Sequence, residues 1–365
     1  MQLHLLFMSY HLKPINFRKY SLILIYSLIS MAIIAWCMEF YFQRIYGDIA
    51  RIGYFPERYF GWQGEQPAIE PELFKDYSFK EADIVVIGDS FSVSRVWQSR
   101  LIKAGFKVCT MTWQELQTRD EALPKDLGVL LHNAGFKGRY VIIESIERLF
   151  QQRMENLVDT APPLSKHEYV INANFPLFPF TQREVISFNK LNGADWGVKA
   201  LVNTIKLHLD LPEKYLKSGA VQAVKFEQGC QLFSNRLCHY AIFVDGDFKK
   251  HTFNSIDRVL TINKNLQVSG FQAIWLIVPD KSTVYLGYGN RAMYPYENIW
   301  QLFAQHQDIV APDLGTAFIK QSRIIKDFYM PNDTHISTNG HLFLGELMTQ
   351  GLLKLQANQP NPFSQ

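Results

Sequence analysis

A short apolar run, Asp83-Ile84-Val85-Val86-Ile87, ends at Gly88 and gives straight onto a helical period. A run this short and this rich in β-branched residues, with no polar alternation, belongs inside a sheet buried on both faces. In the helical stretch that follows, apolar residues recur at Val93, Val96, Trp97, Leu101 and Ala104, and Gly105 closes it. Residues 107–111, 140–143 and 273–278 read as further strands, with a weaker fifth at 309–311. A last helix is expected over 340–355, with Phe343, Leu344, Leu347, Met348 and Leu352 on one face. Strands alternating with helices predict an α/β fold, a parallel sheet covered on both faces. The composition, 47% hydrophobic and 14% aromatic, supports a core of that size.

The chain is expected to reach this domain through a membrane anchor. Residues 21–38 (SLILIYSLISMAIIAWCM) are 18 residues without a charge. A spanning helix needs roughly 17–25. Lys13, Arg18 and Lys19 precede the run, and Glu39 and Arg44 follow it, which predicts an N-in orientation. A cleaved signal peptide and a buried core helix are the alternatives. The run is long for a signal, and no small-x-small cleavage site ends it. The expected organisation is a cytoplasmic tail at 1–20, an anchor at 21–42, a connector at 43–80 and a catalytic domain at 81–357. Between about 151 and 250 the strand–helix rhythm breaks into aromatic and proline-rich sequence. That stretch reads as an insertion over the C-terminal edge of the sheet, where α/β proteins place their sites.

Charge excludes one class of function. A formal net charge of +3, from 37 basic and 34 acidic residues, with no basic stripe, is no nucleic-acid footprint. Of the four cysteines, Cys37 falls in the anchor and Cys109 in a strand. Cys230 and Cys238 flank a short loop; they read equally as a disulfide or as two buried thiols. No Cys/His spacing resembles a zinc site.

Two segments carry chemistry. Ser90, in Gly88-Asp89-Ser90-Phe91, sits where a buried strand meets a helix. A hydroxyl there is exposed at the sheet end, and the helix N-terminus supplies N–H groups for a developing oxyanion. The plainer role for such a serine is a helix cap, which Ser92 also fits. The second segment is Asn332-Asp333-Thr334-His335-Ile336-Ser337-Thr338-Asn339-Gly340-His341, just before the last helix. His335 has the chemistry to deprotonate a serine, and Asp333 to fix its tautomer, if the loop turns back on itself. An Asx-type turn with an incidental histidine is the alternative; His341 reads as structural.

Together these segments resemble the SGNH (GDSL) hydrolase superfamily. Its nucleophile lies in a GDS motif after the first strand, and its histidine lies near the C-terminus with an acid just upstream and a glycine five positions on. The Gly88-to-Phe91 motif and the His335-to-Gly340 spacing match. The acid departs: many members place Asp three residues before the histidine, where this chain has Asn332. The Asp333-x-His335 arrangement is similar to that of the periplasmic polysaccharide O-acetyltransferases of the alginate acetylation type. Val278-Pro279-Asp280-Lys281-Ser282-Thr283-Val284-Tyr285 also resembles a segment of that group. In those relatives, however, D-x-H precedes the serine. The usual SGNH oxyanion glycine and asparagine have no counterpart after strands two and three, leaving the Ser90 N–H as the one nameable donor.

The resemblance implies a three-layer, flavodoxin-like SGNH fold. It also implies a bacterial inner-membrane protein with a single span and a periplasmic catalytic domain. Ser90, Asp333 and His335 would form the catalytic triad, with no metal or organic cofactor. Lys281 and Tyr285 are candidates for an acceptor groove, and Arg148 either meets substrate or pairs with Glu144. The implied reaction is acetyl transfer to a polysaccharide, with a multi-spanning membrane acyltransferase as donor. The alternatives are a carbohydrate O-acetyl esterase of the same fold and a non-catalytic glycan-binding subunit.

Overall fold

The β-branched runs form strands as their burial requires. In the computed structural model, which describes residues 17–42, 47–164, 170–171, 194–212, 216–244, 253–286 and 298–357, four of them make one parallel sheet. They are Ile84–Gly88 (β1), Val108–Thr112 (β2), Tyr140–Ile146 (β3) and Gln272–Val278 (β4), in the order β2-β1-β3-β4. Every residue of β1 and β3 is buried. Helices cover the sheet and share its core: Leu101, Leu131, Phe150, Val259, Ile262, Leu344 and Met348 all pack into one cluster with the strand residues.

Two expectations are corrected here. The helix expected from Val93 is split into Ser90–Val93 and Gln98–Lys103, with Arg95 in a left-handed conformation (φ 55°) between them. The break lets Arg95 reach Asp76 Oδ2 at 2.8 Å while Trp97 turns fully inward and donates from Nε1 to Ser92 Oγ. The fifth strand at 309–311 does not form. That segment accepts a single bond, from Trp275 N–H to the Val310 carbonyl, and Pro312 has no N–H with which to continue a ladder.

The N-terminal helix, Phe17–Tyr41, includes a 22-residue stretch, Phe17–Met38, of mean hydropathy 2.2 with none of it buried. It is long and apolar enough to cross a membrane, and no other helix among the described residues is.

The connector differs most from its expectation. From Gly47 onward it is folded into the domain through the helices Asp48–Gly53 and Glu57–Phe60. Its aromatic residues, which read as linker composition, supply a core of their own. Ile49, Ala50, Phe55 and Phe60 pack with Leu207, Leu216, Val221 and Ile242. Within the insertion, the described residues form the helix Ala194–His208 and an antiparallel sheet of Lys217–Ser218, Val221–Lys225 and Tyr240–Val244. This sheet meets the loop before His335, with Ile242 N–H donating to the Pro331 carbonyl. Cys230 and Cys238 are joined in a disulfide beside it.

If the segment after the N-terminal helix is core rather than tether, truncating it must unfold the domain. Phe60→Ala is expected to lower stability by about 3–5 kcal/mol, read as a reduced urea midpoint; an unchanged midpoint would make this segment a passive linker.

Candidate active site

Ser90 follows β1 as the first residue of the short helix Ser90–Val93 and is exposed. The turn that puts it there leaves no room for a side chain at Gly88. A Cβ at that position would lie 2.4 Å from Ser92 Cβ and 2.7 Å from Glu144 Oε2. The helix is capped by Asp89, whose Oδ1 accepts from Phe91 N–H, and not by Ser90 or Ser92. Ser92 instead points inward, donating to Glu144 Oε2 at 2.8 Å. The Ser90 hydroxyl is therefore left for another partner, and its N–H, at the first helical position, has no intrahelical acceptor.

That partner is His335. Its Nε2 lies 2.7 Å from Ser90 Oγ. Its Nδ1 lies 2.6 Å from Asp333 Oδ1, and the same oxygen accepts the His335 backbone N–H at 3.0 Å. The loop does turn back on itself: Met330 N–H donates to the His335 carbonyl and Asp333 N–H to the Met330 carbonyl. Ser337 then caps the final helix, Thr338–Gln356, with Oγ accepting from Gly340 N–H. Gly340 is required by close approach, because a Cβ there would stand 2.7 Å from the Phe328 carbonyl oxygen.

The electrostatics follow from this geometry. Burial alone would lower the His335 pKa, but the Asp333 carboxylate, with Asp48 and Asp89 behind it, raises it to about 8. Burial would raise Asp333; the opposing charge and hydrogen bonds of His335 hold it well below the usual carboxylate range. His341 is buried as expected of a structural residue, and burial together with the nearby His335 pushes it down to about 3.

The loop is gripped from two sides by residues the sequence gave no reason to connect with it. On one side is the segment after the N-terminal helix. Asp48 accepts from Thr334 N–H and Thr334 Oγ1, at 3.0 and 2.8 Å, and its own N–H donates to Asp333 Oδ2 at 3.1 Å. Glu57 accepts from Gly47 N–H and from the Asn332 side chain. On the other side is Lys281. Its ammonium is buried and donates to the carbonyls of Ile242, Met330 and Pro331 at 2.7–3.0 Å, and to that of Asp333 at 3.3 Å.

Lys281 is thus a post beneath the loop and does not line a groove. Tyr285 is also inside, its hydroxyl accepting from Tyr329 N–H and its ring against Phe233. Arg148 pairs with the buried Asp280 and not with Glu144. Glu147 adds to this brace, accepting from Asp280 N–H and Thr283 Oγ1, so the ends of β3 and β4 are stapled together where Lys281 begins its helix. Glu144 belongs to the Ser90 turn, where it also accepts from Asp89 N–H; burial and the adjacent Asp89 push its carboxyl well up.

Beneath the turn lies Arg153, almost fully buried. It donates to Asp89 Oδ2 and Ser145 Oγ at 2.9 and 2.6 Å, and to Glu121 Oε2. Its guanidinium sits 4.5 Å over the Trp113 ring. Arg153 keeps Asp89 ionised against its burial, and so keeps the cap that frees Ser90.

Asp48, Asp333 and His335 bring three possible ligand atoms within 4.8 Å of one another. Each of those carboxylate oxygens already accepts from an N–H or O–H of the loop or its clamp. The donor set reads as a hydrogen-bonded relay and not as an open metal site. No protein-family model, no curated protein and no solved structure matches this chain.

Three expectations test this arrangement. Below pH of about 8, His335 carries a proton and cannot take one from Ser90, so acylation of Ser90 by an acetyl ester should slow as pH drops through that value. Asp48→Asn removes a negative charge facing the imidazole and should move this limb to lower pH; a limb that stays put would remove Asp48 from the account. Lys281→Met keeps the stem but removes the ammonium's hydrogen bonds to the loop carbonyls, each worth about 1.5–3 kcal/mol as a bond to a charged group. Lower thermal stability together with lower turnover is expected, and an unaffected kcat would mean the loop holds its shape without the ammonium.

Proposed function

We propose that this protein is a membrane-anchored, extracytoplasmic serine acyltransferase that moves an acetyl group onto a polysaccharide hydroxyl through an acyl-Ser90 intermediate. The observation that carries the proposal is the continuous line from Ser90 Oγ through His335 to Asp333 at the C-terminal end of β1. That order of nucleophile, base and orienting acid is the requirement for acyl transfer.

His335 Nε2 takes the Ser90 proton as Oγ attacks the acyl carbonyl, and the Ser90 N–H faces the oxyanion. His335 returns the proton to the leaving group. The second half runs the same path in reverse: the imidazole accepts a proton from the incoming sugar hydroxyl, which takes the acyl group and restores the Ser90 hydroxyl. Asp333 stays ionised throughout and stabilises the imidazolium.

Two features favour an extracytoplasmic location, with a bacterial inner-membrane protein whose catalytic domain is periplasmic as the specific reading. A disulfide closes the Cys230–Cys238 loop, which fits an oxidising compartment. The apolar N-terminal helix, with its preceding basic residues, fits an N-in anchor. Outside the cytoplasm an activated acyl group has to be delivered, and a multi-spanning membrane acyltransferase is the partner that the SGNH resemblance brings with it. The domain is of the SGNH type in this reading, supported by the Ser90 turn, the Asp333-x-His335 loop and Gly340.

A second reading, a carbohydrate O-acetyl esterase, is favoured by the exposure of Ser90. Water reaches an exposed acyl-enzyme as readily as a sugar does. Incubating the purified protein with an acetyl ester, with and without oligosaccharide, separates the two. The proposal expects acetylated oligosaccharide in the first case and an acetyl adduct trapped on Ser90 in the second, both lost in Ser90→Ala. Hydrolysis indifferent to every glycan offered would favour the esterase.

A further inference from the structure

The helix Ala194–His208 has two faces of unlike fate. Its inner face, Trp196, Ala200, Asn203, Thr204 and Leu207, is buried. Trp196 Nε1 donates to the Arg51 carbonyl, and the Asn203 side chain donates to the Gly53 and Tyr54 carbonyls. Its outer face is apolar yet open. Val198, Val202 and Ile205, with Leu209 just past the helix end, are 44%, 46%, 49% and 65% exposed. Their spacing follows the helical repeat, so they form one stripe.

What lies next to this helix decides what the stripe faces. Trp196 and Ala200 pack with Phe42 and Met38, at the end of the apolar N-terminal helix. Along that helix Ala35 and Met38, one turn apart, are half-buried while Ile34, Trp36 and Cys37 are open. Trp36 and Tyr41, 54% and 50% exposed, mark the same level with the aromatic residues that favour a membrane–water interface. The stripe therefore lies on the far side of a helix whose inner face packs against the end of the apolar N-terminal helix.

We infer that the helix Ala194–His208 lies in the membrane interface, with Val198, Val202, Ile205 and Leu209 against lipid. The occupant is the boundary between headgroups and acyl chains, the layer that takes up the apolar face of an amphipathic helix. This inference rests on the reading of Phe17–Tyr41 as a membrane span. It adds an orientation to that reading. From lipid inward the order is the helix, the segment at 47–60, then the catalytic loop that Asp48 and Glu57 hold. Asp48 is six residues beyond Phe42, at most about 20 Å of extended chain. The catalytic acid is thereby kept close to the bilayer surface, where a membrane-embedded donor presents its acyl group.

The test uses the full chain in phospholipid nanodiscs at one copy per disc, with Cys37→Ser so that added thiols are the labelled ones. Nitroxides are attached at Val202→Cys and Ile205→Cys, at Ile29→Cys within the span, and at Val129→Cys on an exposed position of another helix. Collisions with dissolved oxygen and with an aqueous nickel chelate are then compared. The inference expects labels at 202 and 205 to lose nickel collisions and gain oxygen collisions relative to 129, approaching the label at 29. Water-like collisions at 202 and 205, with lipid-like collisions at 29, would overturn the inference and leave the span intact. That outcome would assign the stripe to a partner protein. Protection that arises only at two copies per disc would assign it to a second copy and also overturn it. Water-like collisions at 29 would remove the span and the inference together.

Discussion

One carboxylate oxygen organises the site. Asp333 Oδ1 accepts both the ring N–H and the backbone N–H of His335. A single acceptor for two donors two residues away fixes the loop and the imidazole together, and the charge it carries sets the basicity of the histidine. Everything around it serves to hold that oxygen in place. Lys281 draws the preceding carbonyls downward, and Asp48 and Glu57 pin Thr334 and Asn332 from the opposite side. Between Tyr329 and Ile336, which sit in the core, the loop is made rigid by polar groups that are buried and paired.

The two halves of the site come from distant parts of the chain and are built by different means. Ser90 is fixed by backbone: a strand end, a glycine with no space for Cβ, and an aspartate cap held ionised by Arg153. His335 is fixed by side-chain bonds within a loop. The parallel sheet is what brings them to the same edge, since β1 ends beneath Ser90 and β4 ends where Lys281 begins.

The strands and the two site motifs were legible because the signal of each is local; the pairing of Ser90 with His335 is long-range and came from the SGNH resemblance. A β-branched run buried on both faces needs no partner to be recognised, and neither does a Gly-Asp-Ser at its end. The clamps were not legible, because they are long-range. Asp48 and Glu57 sit in sequence whose aromatic, proline and glycine content reads as linker, and only the fold shows that those aromatic rings make a core. Lys281 and Tyr285 were misplaced for a related reason. A lysine beside a site is read as exposed, since burying an ammonium is costly; here four carbonyl oxygens offset that cost. The helix break at Arg95 and the absent strand at 309–311 depend on Asp76 and on a proline, respectively, which periodicity alone does not weigh.

In the proposed mechanism Ser90 is a nucleophile made reactive by His335 and Asp333. The most direct measurement is intact-mass and peptide analysis after brief exposure to a fluorophosphonate, which reacts with activated serines and asks nothing of the natural substrate. A single adduct on Ser90 is expected, formed far more slowly in Asp333→Asn and absent in His335→Ala. Labelling of another serine, or equal labelling of Ser90 in all three proteins, would contradict the account.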